Sequence, residues 1–119
     1  MKFGYGLVTC QRHPDEGRSD REMYDEALAL AEDADRLGLD SFWVSEHHLW
    51  DDSHMPSLLP TLAAAAARTE RIALGTGVLQ VPANNPVRLA EDAATVDLIS
   101  HDRLTLGLGL GWREEEWDT

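Results

Sequence analysis

The chain has 119 residues, 43% of them hydrophobic, and its 22 acidic against 10 basic side chains give a net charge of −12. That length suits one domain with a modest core, and the apolar fraction argues against disorder. The negative charge repels phosphate backbones and anionic bilayers, so neither nucleic acid nor a membrane surface is expected as a partner. Cys10 is the single cysteine, which rules out an intrachain disulfide and suits a reducing interior. No signal peptide precedes the first predicted strand, and no apolar run nears the ~20 residues of a membrane helix. A cytoplasmic, soluble protein is expected.

In chain order, residues 2–9 read as a first strand and residues 10–18, with Pro14 and Gly17, as a loop. Ser19 followed by Glu22 is a capping box that opens a helix to about Leu37. Its Met23, Ala27, Leu30, Ala31, Ala34 and Leu37 share one face, and Gly38 stands where a left-handed cap is expected. Phe42-Trp43-Val44 is a second, buried strand. A helix over about 57–69 presents Leu58, Leu62 and Ala65, and residues 71–81 are strand three, stopped by Pro82. Asn85-Pro86 starts a helix to about Ile99 that buries Leu89, Ala93 and Val96. After a turn at 100–102, residues 103–110 form strand four, and a tail from Gly111 to Trp117 follows. The order β-α-β-α-β-α-β, repeating every ~30 residues, implies a parallel sheet with right-handed crossovers.

Seven of the nine glycines lie in strands, at 4 and 6, 75 and 77, and 107, 109 and 111. Spaced by two, they share one face within each strand. The expected result is a concave face emptied of side chains, with room for a large planar ligand, while Leu106, Leu108 and Leu110 pack on helices.

The stretch Ser41 to Trp50 concentrates the chemistry: a short apolar strand ending in Glu46, His47 and His48. In parallel α/β folds that end of a strand gathers ligands and catalytic groups, and titratable residues there need a reason. A hydrogen-bonded pair at a strand end is the plainer reason. Glu46, His47, His48, Asp51 and His54 could be drawn together as a metal site. Adjacent His47 and His48 face opposite ways, however, and the H-E-x-x-H spacing is missing, so no metal is expected. Gly107-x-Gly109-x-Gly111-Trp112 fails the dinucleotide fingerprint because Trp112 stands where glycine is required. Ser45-Glu46-His47 lacks a nucleophile elbow. His13 and His101 fall in polar turns. An imidazole beside a ring that backbone can approach is the reading that asks least, since its proton moves near neutral pH.

The start Met1-Lys2-Phe3-Gly4, the segment Phe42 to His48, Gly75-Thr76-Gly77-Val78, the run Asn85 to Asp92 and Arg103 to Gly107 occur in an order and spacing that resemble the N-terminal part of the luciferase-like monooxygenases. These are flavin- or deazaflavin-dependent oxidoreductases. The resemblance implies an α/β fold, the N-terminal half (four β/α units) of a TIM (β/α)8 barrel, covering residues 1–119. It implies that His47 is the active-site histidine, that Gly77-Val78 is a non-prolyl cis peptide behind the cofactor ring, and that Glu91 and Glu46 lie near the cofactor. Luciferase itself carries an arginine where Leu110 stands here. The ending from Gly107 to Glu116 looks more like the users of deazaflavin coenzyme F-420, while Glu46-His47-His48 keeps reduced FMN open.

A full barrel takes ~200–250 residues, so the chain reads as a truncated portion of such a domain. The expected function is that of a fragment of an oxidoreductase or monooxygenase acting on a small organic substrate, with a homo-oligomer or a complementary half-barrel as partner. The alternatives are a non-catalytic half-barrel that binds cofactor or a partner chain, and, less favoured, a metal hydrolase using Glu46 and His48.

Short acidic clusters such as Asp51-Asp52 and Glu114-Glu115-Glu116 suggest a solvated acidic shell of the kind suited to a halophilic, high-salt cytoplasm. Screening shortens the reach of repulsion from ~10 Å at 0.1 M to ~3 Å at 1 M salt. Melting curves at those two concentrations are expected to separate, with the low-salt sample less stable. Coincident curves would make the acidity incidental.

Overall fold

The first and third α-helices start where a side chain supplies partners for their first N–H groups. In the computed structural model, which describes residues 1–116, helix α1 (Asp20–Arg36) opens on the expected capping box. Ser19 Oγ accepts the Glu22 N–H at 3.4 Å, and the Glu22 carboxylate accepts the Ser19 N–H at 2.7 Å. Helix α3 (Pro86–Ser100) begins with Asn85 Oδ1 accepting from Val87 and Arg88 at 3.0 and 3.2 Å. Helix α2 (Leu58–Arg68) has no side-chain cap and relies on packing: Leu58, Leu62 and Ala65 are fully buried. Gly38, at φ +80°, leads out of α1 in the left-handed conformation that glycine adopts without a Cβ clash.

Strands β1 (Gly4–Val8), β2 (Ser41–Val44), β3 (Ala73–Thr76) and β5 (Leu104–Thr105) form one parallel sheet in the order β1-β2-β3-β5. Strands β4 (Leu79–Gln80) and β6 (Leu108–Gly109) form a second parallel pair. Strands three and four of the sequence reading are thus each divided. The cause is a side chain that enters the ladder. Thr76 Oγ1 donates to the Gly107 carbonyl at 2.8 Å and accepts the Gly107 N–H at 2.9 Å, replacing the backbone bonds that would carry the sheet onward. Pairing resumes when the Leu79 N–H reaches the Gly107 carbonyl at 2.8 Å.

Phe42, Val44, Ile72 and Leu74 point from the sheet into a core shared with Ala27 and Ala31 of α1 and with Leu58 and Leu62 of α2. Met23, Ala27, Ala31 and Ala34 occupy the predicted inner face of α1, whereas Leu37, expected there, is exposed beyond the last turn. Asp35 ties α1 to the segment after α2: its carboxylate accepts the N–H groups of Glu70, Arg71 and Ile72 at 2.8, 3.2 and 2.9 Å. Burial pushes this carboxyl up, but the three donors outweigh it and hold the group below its ordinary value. Arg103 locks the same end of the sheet by donating to Thr69 Oγ1 and to the Ala66 carbonyl at 2.8 and 2.9 Å. Among the described residues no helix is long and apolar enough to cross a membrane.

The glycine-lined face departs from expectation. It is not empty, because the Trp43 indole covers it, with Nε1 donating to Ser41 Oγ at 2.8 Å. A Cβ at Gly75 would collide with that indole, one at Gly6 would meet Trp43, and one at Gly77 would meet Leu7. These glycines make room for a neighbouring side chain of the same chain. Of the three leucines expected to pack on helices, Leu106 packs against the core, while Leu108 and Leu110 are exposed.

Gly75→Val would place side-chain atoms inside the indole and is expected to cost ~1–3 kcal/mol, the usual overpacking penalty. Urea unfolding read by far-ultraviolet circular dichroism measures it. An unchanged midpoint would mean that Trp43 moves aside freely.

Candidate functional site

The C-terminal end of β2 is pinned on both sides before any titratable residue appears. Ser45 N–H donates to the Val8 carbonyl at 3.0 Å, and Gly77 N–H donates to the Val44 carbonyl at 2.8 Å. The three polar residues that follow therefore leave the sheet from a fixed point. Glu46 is buried, and His47 and His48 are half-buried.

Two buried carboxylates organise the imidazoles. Glu46 Oε1 accepts the Gln80 N–H at 2.6 Å and faces His48 Nε2 at 3.3 Å. Glu116 Oε1 accepts the His48 N–H at 2.9 Å and faces His47 Nδ1 at 3.1 Å, and its Oε2 accepts from Gln80 Nε2 at 3.2 Å. Burial raises both carboxyls, with opposite net results. In Glu46 burial prevails over the Gln80 N–H and His48, leaving the carboxyl above its ordinary value. In Glu116 the contacts with the His48 N–H, His47 and Gln80 prevail, leaving it below.

His47 stands among rings. His54 meets it edge-on with centroids 5.0 Å apart, and Trp50 and Trp112 lie at 5.9 and 6.4 Å. His54 is held in turn by Asp52 at 2.8 Å, and the Arg113 guanidinium lies 4.1 Å over the Trp50 ring. In front of His47 is a cleft of about 170 Å³, lined by Ser45, Glu46, His47, Gly77, Val78 and Trp112 among others. The Gly77–Val78 peptide is cis, as the sequence reading expects; Gly6–Leu7 is cis as well, which it does not.

Four predicted site residues, Glu46, His47, Gly77 and Val78, therefore meet in one cleft. Glu91 does not join them: it lies on the exposed side of α3, paired with Arg88 at 3.5 Å. The sequence reading missed Gln80 and Glu116. Gln80 carries no signal beyond its place near the end of an apolar strand, and Glu116 is the last of three consecutive glutamates, of which 114 and 115 are exposed. Its tail also included Trp117, which lies outside the described residues. Among the described residues, no group of three or more His, Cys, Asp or Glu is arranged to hold a metal ion.

Residues 1–119 match the model of the luciferase-like monooxygenase family. The chain belongs to that family. It is 33% identical over 118 residues to the oxygenase component of the flavin-dependent trigonelline monooxygenase of Acinetobacter baylyi, covering 99% of this chain and 32% of that protein. To the F-420-dependent glucose-6-phosphate dehydrogenase of Amycolatopsis mediterranei it is 43% identical over 115 residues, covering 93% and 32%. Among solved structures, a monooxygenase from Streptomyces bottropensis superposes with a TM-score of 0.90 at 37% identity, over 99% of this chain and 36% of that one. The oxygenating constituent of 3,6-diketocamphane monooxygenase from Pseudomonas putida, in complex with FMN, gives 0.85 at 30% identity, over 97% and 31%. This luciferase-like chain thus spans about a third of the length of the relatives it matches. Its parallel-strand α/β fold corresponds to a half-barrel.

The raised Glu46 carboxyl has a direct consequence for stability. A carboxyl whose folded value is raised favours folding most below the ordinary carboxylate range, and that contribution is lost as pH rises through the folded value. Glu46→Gln keeps an acceptor for the Gln80 N–H and removes the charge. Relative to the variant, the unaltered chain is expected to lose stability between acid and neutral pH. Unfolding free energies across that range test this, and a difference that stays flat or runs the other way would show that buried Glu46 is ionised without cost.

Proposed function

We propose that this chain supplies the cofactor-facing part of an oxidoreductase that uses a reduced flavin or deazaflavin to act on a small organic substrate. The observation that carries the reading is the cleft in which the His47 imidazole, backed by a buried carboxylate, faces the Gly77–Val78 backbone. A planar redox ring fits there in part. Gly77 contributes no side chain, and Val78 and Trp112 offer exposed apolar surface, at 41% and 77%. At about 170 Å³, though, the cleft is smaller than the ~300–1,000 Å³ that ligands of this size usually occupy, so it takes one edge of the ring. The remaining wall would come from strands added at the open edges of β1 and β5, supplied by a complementary half-barrel or a second copy.

Once bound, such a cofactor would supply the electrons or hydride. His47 would hold or release a proton beside it, Trp50 and Trp112 would keep water from the imidazole, and Glu46 with Gln80 would fix the strand end that carries it. Both cofactor types have support among the relatives, one structure being an FMN complex and one enzyme being F-420-dependent by name. The ending from Gly107 to Glu116 inclines the reading toward the deazaflavin, and Leu110, in place of luciferase's arginine, argues against luciferase itself. A cytoplasmic setting suits the buried, free Cys10 thiol, which burial raises to about 11 and so keeps unreactive.

Reduced FMN and reduced F-420 titrated into the purified chain, with tryptophan fluorescence as the signal and cofactor oxidation followed alongside, separate an oxidoreductase from a module that only binds. Where turnover is present, His47→Ala is expected to lower it ~100- to 10,000-fold with little change in melting temperature, because the side chain is partly exposed. A folded variant with full turnover would remove His47 from this role.

A further inference from the structure

The carboxylate behind His47 does more than fill space. Glu116 is one of three consecutive glutamates in a short 3-10 turn, and it alone turns inward, where 8% of it remains exposed. Both of its oxygens already receive protons from groups that can only donate. Oε1 accepts the His48 backbone N–H, and Oε2 accepts from the Gln80 amide, whose NH2 orientation is set by a second acceptor, the Glu46 carbonyl, at 3.4 Å. An acceptor so placed is ionised, and the His47 nitrogen facing it at 3.1 Å must then be the one carrying hydrogen. Nε2, on the far side of the ring, makes no hydrogen bond to the described residues.

We propose that Glu116 is the positioning residue for His47, holding its proton on Nδ1 so that Nε2 is the basic nitrogen presented to the cleft. A carboxylate on the far ring nitrogen is the arrangement that orients and strengthens imidazole bases and metal ligands in general. It also selects against the alternative tautomer, in which Nε2 would carry hydrogen and could accept nothing from the cleft. The remaining charged or titratable groups around His47 are His48, which faces Glu46, the His54–Asp52 pair edge-on to the ring, and Arg113, stacked on Trp50. None of these contacts Nδ1, so the tautomer is set by Glu116. The importance of this assignment rests on His47 handling a proton, but its test does not.

Nitrogen-15 spectra of histidine-labelled chain, recorded where the imidazoles are neutral and assigned by the signal lost in His47→Ala, report the tautomer directly. Neutral His47 in the unaltered chain is expected to carry hydrogen on Nδ1 and leave Nε2 bare. Glu116→Gln is expected to abolish the tautomer preference, and Glu116→Asp to restore part of it. A neutral His47 with hydrogen on Nε2 would overturn the assignment. So would a folded Glu116→Gln chain with unchanged tautomer. Should Glu116→Gln fail to fold, the tautomer of the unaltered chain decides alone. No cofactor or turnover enters these measurements, so a fully active His47→Ala would remove the proposed function and leave this result standing.

Discussion

A carboxylate taken out of water must be given donors to replace it, and three such carboxylates set the shape of this chain. Asp35 collects three successive N–H groups where the chain leaves α2 for β3. Glu46 collects the N–H of Gln80 and the ring of His48. Glu116 spans 69 positions in sequence to reach His47 and also holds the His48 backbone. Asp35 secures one end of the sheet and the two glutamates the other. Between them the strands are too short for ladder bonds alone to hold them in register.

The two ends differ in what their carboxylates are asked to do. The Asp35 carboxylate accepts from backbone N–H groups, and the Arg71 guanidinium donates to the Asp35 carbonyl, so its role is structural. Glu46 and Glu116 meet imidazoles, whose charge changes near neutral pH. Their environments also push the two carboxyls apart, Glu46 upward and Glu116 downward, although both are almost fully buried. Opposed shifts on two carboxyls that meet neighbouring imidazoles are a physical pointer to acid–base work.

The concave face shows how a correct inference about backbone can mislead about space. Glycines at 4, 6, 75 and 77 do leave a bare strand surface, but the chain covers it with its own Trp43 and Leu7. The opening that remains lies higher, past the strand ends, where Thr76 divides the sheet and Gly77–Val78 passes in front of His47. Several exposed apolar side chains sit along the same open borders: Phe3 just before β1, Tyr5 on it, and Leu108 and Leu110 on and after β6. A face of this kind is what further strands and helices of a barrel would cover.

Local rules acting over a few residues were enough to locate α1 by its Ser19–Glu22 box, α3 by Asn85-Pro86, and the buried strand that delivers Glu46 and His47. The same rules gave the parallel alternation, because periodicity and capping are written within one or two turns of chain. Family resemblance added the Gly77–Val78 peptide, whose geometry the structure bears out. What periodicity could not see was any choice among equivalent residues made by distant partners. Nothing local distinguishes Glu116 from Glu114 or Glu115, or marks Trp43 as the side chain that lies across Gly75. Nor does it reveal that the Thr76 hydroxyl breaks two strands at once. Each of these depends on which groups must share a hydrogen bond or a volume once the chain has closed, and only the tertiary structure brings those groups together.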